Sequence, residues 1–106
     1  MKISYLNESP EAFQFDLFIH DYTLEMNNSD MHQQIKAAHA CSDYVISAYD
    51  GQKLVALGFL SSTKQYSQME TCRIYVLPSY QLRGVGSNVQ KLLVAEQRFS
   101  PLPIAH

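Results

Sequence analysis

The chain has 106 residues, 46% hydrophobic and 17% charged, which supports one modest core and argues against a disordered segment. Its formal charge of −2 excludes a global basic field for nucleic acid or acidic lipid, so a polyanionic ligand needs a local set of donors. No apolar stretch approaches a bilayer span and the N-terminus lacks a signal peptide's apolar run, so a cytoplasmic protein without membrane or nucleic-acid partners is expected.

Residues 1–106 read as a single domain without repeats or low-complexity tracts. Lys2 to Leu6 reads as a short strand, with Ile3 and Tyr5 alternating against polar neighbours. A helix start follows: Ser9 as N-cap, Pro10 in the first helical position, Glu11 at the positive end of the dipole. Phe13, Leu17 and Leu24 fall at helical spacing with Phe18 and Tyr22 alongside, predicting one apolar face. Asn27 to Asp30 breaks that pattern, and Asp30 with Gln33 resembles a capping pair for a second helix through about Cys41.

Tyr44 to Tyr49 and Leu54 to Leu60 are apolar, β-branched or aromatic runs around Asp50-Gly51, a strong hairpin signal. After a polar loop, Ser61 to Ser67, a third run spans Cys72 to Leu77. Pro78 ends it, since proline cannot donate to a continuing ladder. Beyond Gly86 the period becomes helical, with Val85, Val89, Leu92 and Leu93 on one face to about Gln97. Ser100 to Pro103 breaks this helix, and Ile104 to His106 is at most a stub of strand. Strand, two helices, three strands and a helix predict an α/β fold of the α+β sandwich kind, with a mostly antiparallel central sheet flanked by helices.

The segment Tyr80 to Ser87 lies between a strand end and a helix start, where the first helical turn leaves backbone N–H groups unpaired. Gly84 and Gly86 let those donors approach phosphate oxygens closely, and the helix dipole adds partial positive charge. Ser87 adds a hydroxyl and Arg83 a formal charge. No Asp or Glu occurs between Glu70 and Glu96, whereas Arg73, Arg83 and Lys91 do. The competing reading is a glycine turn that serves only close packing. Other phosphate motifs fit worse: position 89 is Val where a dinucleotide fingerprint has its third glycine, and no Gly-Lys-Ser/Thr is present.

Val76 to Ser87 resembles the acetyl-CoA signature of the GNAT N-acetyltransferases, Gln/Arg-x-x-Gly-x-Gly/Ala, with Gln81, Gly84 and Gly86 at its fixed positions. The hairpin Tyr44 to Phe59 resembles the second and third strands of that family. The resemblance implies that Ile74, Tyr75 and Val76 pair their backbone with the pantetheine arm. It also implies that amides of Gln81, Leu82, Arg83, Gly84, Val85, Gly86 and Ser87 hold the pyrophosphate. An amine acceptor, a small molecule or a protein amine, would attack the thioester directly. The alternative is a non-catalytic acyl-CoA-binding or regulatory module. GNAT domains normally continue with a further strand and helix, which supply the far wall of the cleft and a proton-donating tyrosine, and this sequence stops at His106. An uncovered strand edge is therefore expected after Cys72 to Leu77, covered by a homodimer or another partner, with truncation of a longer protein as the competing explanation.

Glu70 and Tyr75 are the catalytic candidates. Glu70 stands where some members place a carboxylate that activates the amine through water; Tyr75, like Tyr80, lies near enough in sequence to the cleft to donate a proton. Packing competes for Tyr75 and surface contact for Tyr80. Cys41 and Cys72 read as core thiols. His32 and His39 are seven residues apart without further ligands in register, so no metal site is expected.

Overall fold

A computed structural model of the protein describes residues 2–62 and 70–99. Their order is β1 Ile3–Leu6, α1 Ala12–Met26, α2 Met31–Ala40, β2 Tyr44–Asp50, β3 Lys53–Ser62, β4 Glu70–Val76, a 3-10 turn Pro78–Tyr80, and α3 Val85–Phe99. The sheet runs β1-β2-β3-β4 with every neighbouring pair antiparallel, which is the predicted fold class. Ser61 and Ser62, expected in the loop, instead end β3, paired with Thr71 and Glu70. The rest of that loop through Ser67 and the strand stub at Ile104 to His106 lie outside the described residues.

The hairpin forms at Asp50-Gly51 as predicted, with Gly51 at φ 67°. A register shift beside Ala48 and Tyr49 leaves Val55 as the extra residue of β3, a bulge. Beyond it, strand alternation places Ala56 and Gly58 on one face and Leu57 and Phe59 on the other. Val85, Val89 and Leu93 of α3 bury against the first face. There a Cβ built on Gly58 would overlap Val89 Cγ1, so the missing side chain is what lets α3 lie close to the sheet. Leu92, expected on the buried face, is exposed.

Helices α1 and α2 cover the other face. The buried stripe of α1 is Phe18, Ile19 and Tyr22, with Phe15 half-buried against them. This corrects the predicted face: Phe13 is 72% exposed, Leu17 47% and Leu24 65%. Phe15, Phe18, Ile19 and Tyr22 follow an i, i+3, i+4, i+7 pattern, and Phe13, Leu17 and Leu24 project from nearly the opposite side of the helix. Two apolar stripes share one helix, and the one with aromatic partners across the sheet is buried.

The helix starts also differ from expectation. Glu11, extended at φ −68° and ψ 154°, is the N-cap of α1, and Ser9 lies outside the helix with its Oγ 3.4 Å from His39 Nε2. The preceding segment is tied to the sheet instead, Ser47 Oγ donating to the Glu8 carbonyl at 2.7 Å. Asp30 does cap α2 in position, but its side chain makes no capping bond; Asn28 Oδ1 accepts the Asp30 N–H at 3.0 Å.

Candidate functional site

The outer edge of β4 is defined by the hydrogen-bond phase of its ladder with β3. Leu77 N–H donates to the Val55 carbonyl at 3.0 Å, one step beyond the Ala56↔Val76 pair. Backbone groups alternate in an antiparallel ladder, so Tyr75 also bonds toward β3, whereas Ile74 and Val76 direct N–H and C=O outward. Among the described residues no strand lies beyond β4. Gln81 Nε2 donates to the outward Val76 carbonyl at 3.1 Å, tying the loop to the strand end.

The side chains of β4 divide between the two layers. Tyr75 is buried under α1, edge-on to Tyr22 at 5.8 Å and 6.0 Å from Phe59 between ring centroids. Its ring therefore packs in an aromatic stack. Val76 faces α3, its Cγ2 3.4 Å from where a Gly86 Cβ would sit. Glu70 opens β4 opposite Ser62.

After β4 the chain makes a tight turn, with Tyr80 N–H donating to the Leu77 carbonyl at 2.7 Å and Gln81 N–H to that of Pro78 at 3.2 Å. Leu82 and Gly84 then take positive φ, 66° and 82°. For Gly84 this is free of strain, and a Cβ there would meet nothing within 4 Å. For Leu82, whose side chain is fully exposed, it costs about 1 kcal/mol, and such strain concentrates at ligand-holding loops. Asn88 N–H makes the first bond of α3, to the Gly84 carbonyl at 3.0 Å. The N–H groups of Val85, Gly86 and Ser87 consequently have no acceptor within the helix. Three donors, a cradle open at Gly84, the exposed Arg83 and Ser87, and the helix dipole suit a pyrophosphate. Asn88 Nδ2 donates to Tyr5 Oη at 3.0 Å, anchoring this end of α3 to β1.

The window without acids along the sequence does not stay so in space. Glu25, at the end of α1, accepts Ser79 N–H at 2.9 Å and Ser79 Oγ–H at 3.3 Å. Asp50 Oδ2 accepts the Tyr80 hydroxyl at 2.6 Å. That bond, with burial and the Asp50 charge, pushes the Tyr80 phenol up, while Arg83 opposes the shift. Arg83 and Lys53 lie over the same ring, 6.0 and 5.7 Å from its centroid. Glu25, Asp50 and Lys53 come from elements far away in the chain, and nothing in the linear pattern around position 80 signals them.

Cys41 and Cys72 are exposed, contrary to the core-thiol expectation. Cys72 sits at the open edge of β4, and desolvation by its immediate surroundings still pushes its thiol up, against a role as a nucleophile. His39 packs between Phe15 and Phe59, with ring centroids 4.8 and 5.8 Å away. Among the described residues no group of three or more His, Cys, Asp or Glu is placed to hold a metal, and no helix is long and apolar enough to cross a membrane.

No curated protein matches the chain. Solved structures do match its fold. An acetyltransferase of the GNAT family from Brucella melitensis, in complex with acetyl-CoA, aligns with a TM-score of 0.73 at 15% identity, covering 94% of this chain and 71% of that one. An N-acetyltransferase from Staphylococcus aureus Mu50 aligns at 0.66 and 12%, covering 95% and 69%. An acetyltransferase, GNAT family protein from Streptococcus pneumoniae aligns at 0.60 and 21%, covering 92% and 69%. At these identities the likeness speaks for fold alone. The sequence profile of the Acetyltransferase (GNAT) family, however, matches residues 6–98, nearly the whole chain, and the chain belongs to that family.

Proposed function

We propose that this chain, acting as a single domain, binds acetyl-CoA and transfers its acetyl group to an amine acceptor, a small molecule or a protein amine, in the cytoplasm. The observation that carries this reading is the set of N–H groups of Val85, Gly86 and Ser87 that have no acceptor within α3, at the mouth of a loop strained at Leu82. In a chain of this family, that is where a pyrophosphate belongs. The amides of Gln81 to Ser87 are proposed to hold it, with Arg83 adding charge. The outward N–H and C=O of Ile74 and the outward N–H of Val76 are proposed to align the pantetheine arm as an added strand would be aligned.

Acetyl-CoA, when bound, supplies a thioester that an amine attacks directly, the C–N bond forming as the C–S bond breaks and the amine proton ending on the sulfur. The chain's part is to hold the acyl carbonyl against backbone donors of β4 and to manage that proton. Glu70, at the start of β4, is proposed to take the proton from the amine through water. Tyr75 is the proposed candidate for returning it to the thiolate. A homodimer through the β4 edge is proposed as well.

A second reading, an acyl-CoA-binding module without catalysis, draws support from the tyrosines. Tyr75 packs its ring between Tyr22 and Phe59, and Tyr80 has its hydroxyl committed to Asp50. Calorimetry with acetyl-CoA on the wild type and Gly86→Glu tests the common part. The new Cβ meets only Val76 Cγ2 at 3.4 Å, so the fold should tolerate it while a carboxylate enters the phosphate cradle. Binding by the wild type that the variant abolishes is expected; equal binding by both sinks the site. Coenzyme A release with amine acceptors then separates enzyme from module.

A further inference from the structure

A cavity of about 500 Å³ lies between α2 and the start of β4, on the sheet face away from α3. The buried Phe59, with Ala37, Ala38 and Cys41, lines it with apolar surface and a thiol, and Gln34, Ser61 and Arg73 add polar groups. The size suits a small organic ligand. Arg73 is directly opposite Phe59 in the β3–β4 register, and shares a face with Tyr75, whose ring touches the same aromatic stack. Between them, Ile74 turns its backbone to the outer edge of β4. Arg73 is four steps along the chain from Leu77, about 13 Å at 3.3 Å per residue. Arg73 thus stands well back from the phosphate loop, toward the part of β4 that the thioester end of the pantetheine arm would reach.

Arg73 is the one charged side chain among the described residues of this wall. A guanidinium repels a bare alkylammonium and offers a planar fork of donors that fits a carboxylate in two parallel hydrogen bonds. The Gln34 amide and the Ser61 hydroxyl can supply further bonds to the same group. We infer that this cavity is the acceptor subsite and that it takes an amine carrying a carboxylate, an amino acid with an apolar side chain, through Arg73. The inference rests on the acetyl-transfer reading for the placing of the thioester. Phe59, Ala37 and Ala38 account for the apolar side chain, and one arginine matches one negative charge.

The test is titration of N-acetylmethionine and of its carboxamide into the full chain, with and without coenzyme A, using wild type, Arg73→Gln and Arg73→Lys. Arg73 is exposed, so neither substitution threatens the core. The acid should bind at least about tenfold more tightly than the amide, as expected for a charge-assisted pair. Arg73→Gln should erase that preference and Arg73→Lys should restore part of it, with acetyl-CoA affinity unchanged in all three. Equal binding of acid and amide, binding of neither, or a preference that survives Arg73→Gln overturns the proposal. Tighter binding of an aminoalkyl phosphate overturns the carboxylate assignment. A wild type that binds the acid but not acetyl-CoA refutes the acetyl-transfer reading itself, and with it the acceptor role of a carboxylate site that would still stand.

Discussion

Tyr80 joins the end of β2 to the turn that carries the phosphate loop, through its hydrogen bond to Asp50. Its phenol is held above the ordinary value of 10.0 because the bond, burial and the Asp50 charge all favour the neutral form. Folding therefore gains from the protonated phenol. That gain is fully present below about pH 10 and is lost as pH rises through the raised value. Tyr80→Phe should cost at most about 1 kcal/mol at neutral pH, reduced by solvent screening because the side chain is only half-buried. Urea melts of both proteins should differ at pH 7 and converge as the pH is raised past 10. A difference that persists at high pH would mean that the protonated bond to Asp50 does not carry the contribution. The cations above the ring, Lys53 and Arg83, are retained in the variant, so charge near the loop is held constant.

At the scale of elements, α3 carries three N–H donors of the proposed phosphate site, and its seat on the sheet depends on Gly58. A Cβ there would overlap Val89 Cγ1 and lie 3.0 Å from Leu93 Cδ1, both fully buried side chains with little room to move. Gly58→Ala should lower stability by roughly 1–3 kcal/mol as an overpacked core position. Val89→Ala removes the atom that obstructs it, so the double variant should lose less than the two single losses combined, a coupling readable by denaturant melts. Strict additivity would show that α3 is not held by this contact. Periodicity and turn chemistry made this much of the fold legible: the hairpin at Asp50-Gly51, the stop at Pro78, and Val85, Val89 and Leu93 as the buried face of α3. Gly58 was not legible as a contact point, because its meaning comes from a helix more than 25 residues further along. The failure at α1 has a related cause. Two apolar stripes run along that helix, and local periodicity has no means of choosing between them. The choice is made by the aromatic stack of Phe59 and Tyr75, which only the folded sheet assembles. The same holds for the candidate site: the loop Gln81 to Ser87 is contiguous and was visible, whereas Glu25, Asp50 and the cavity around Arg73 are built from distant elements.

On the whole molecule, two features among the described residues bear on self-association: the unpaired backbone edge of β4 and the exposed stripe Phe13, Leu17 and Leu24 on α1. They make different predictions for self-association. A β4-edge dimer would bond through the outward groups of Ile74 and Val76, the same groups proposed to align pantetheine. The Val76 carbonyl is already engaged by Gln81, which shortens the ladder such a dimer could form. Cofactor and partner chain therefore compete, and by mass action acetyl-CoA should pull an edge dimer toward monomer. Sedimentation across a range of protein concentrations, with and without saturating acetyl-CoA, reads this directly. A dimer that weakens tenfold or more as the ligand saturates would place the interface at β4. A dimer indifferent to acetyl-CoA cannot use that edge, and Leu17→Glu should then dissociate it if the α1 stripe is the contact. A monomer at every concentration refutes the proposed homodimer and leaves the β4 edge to the pantetheine arm alone.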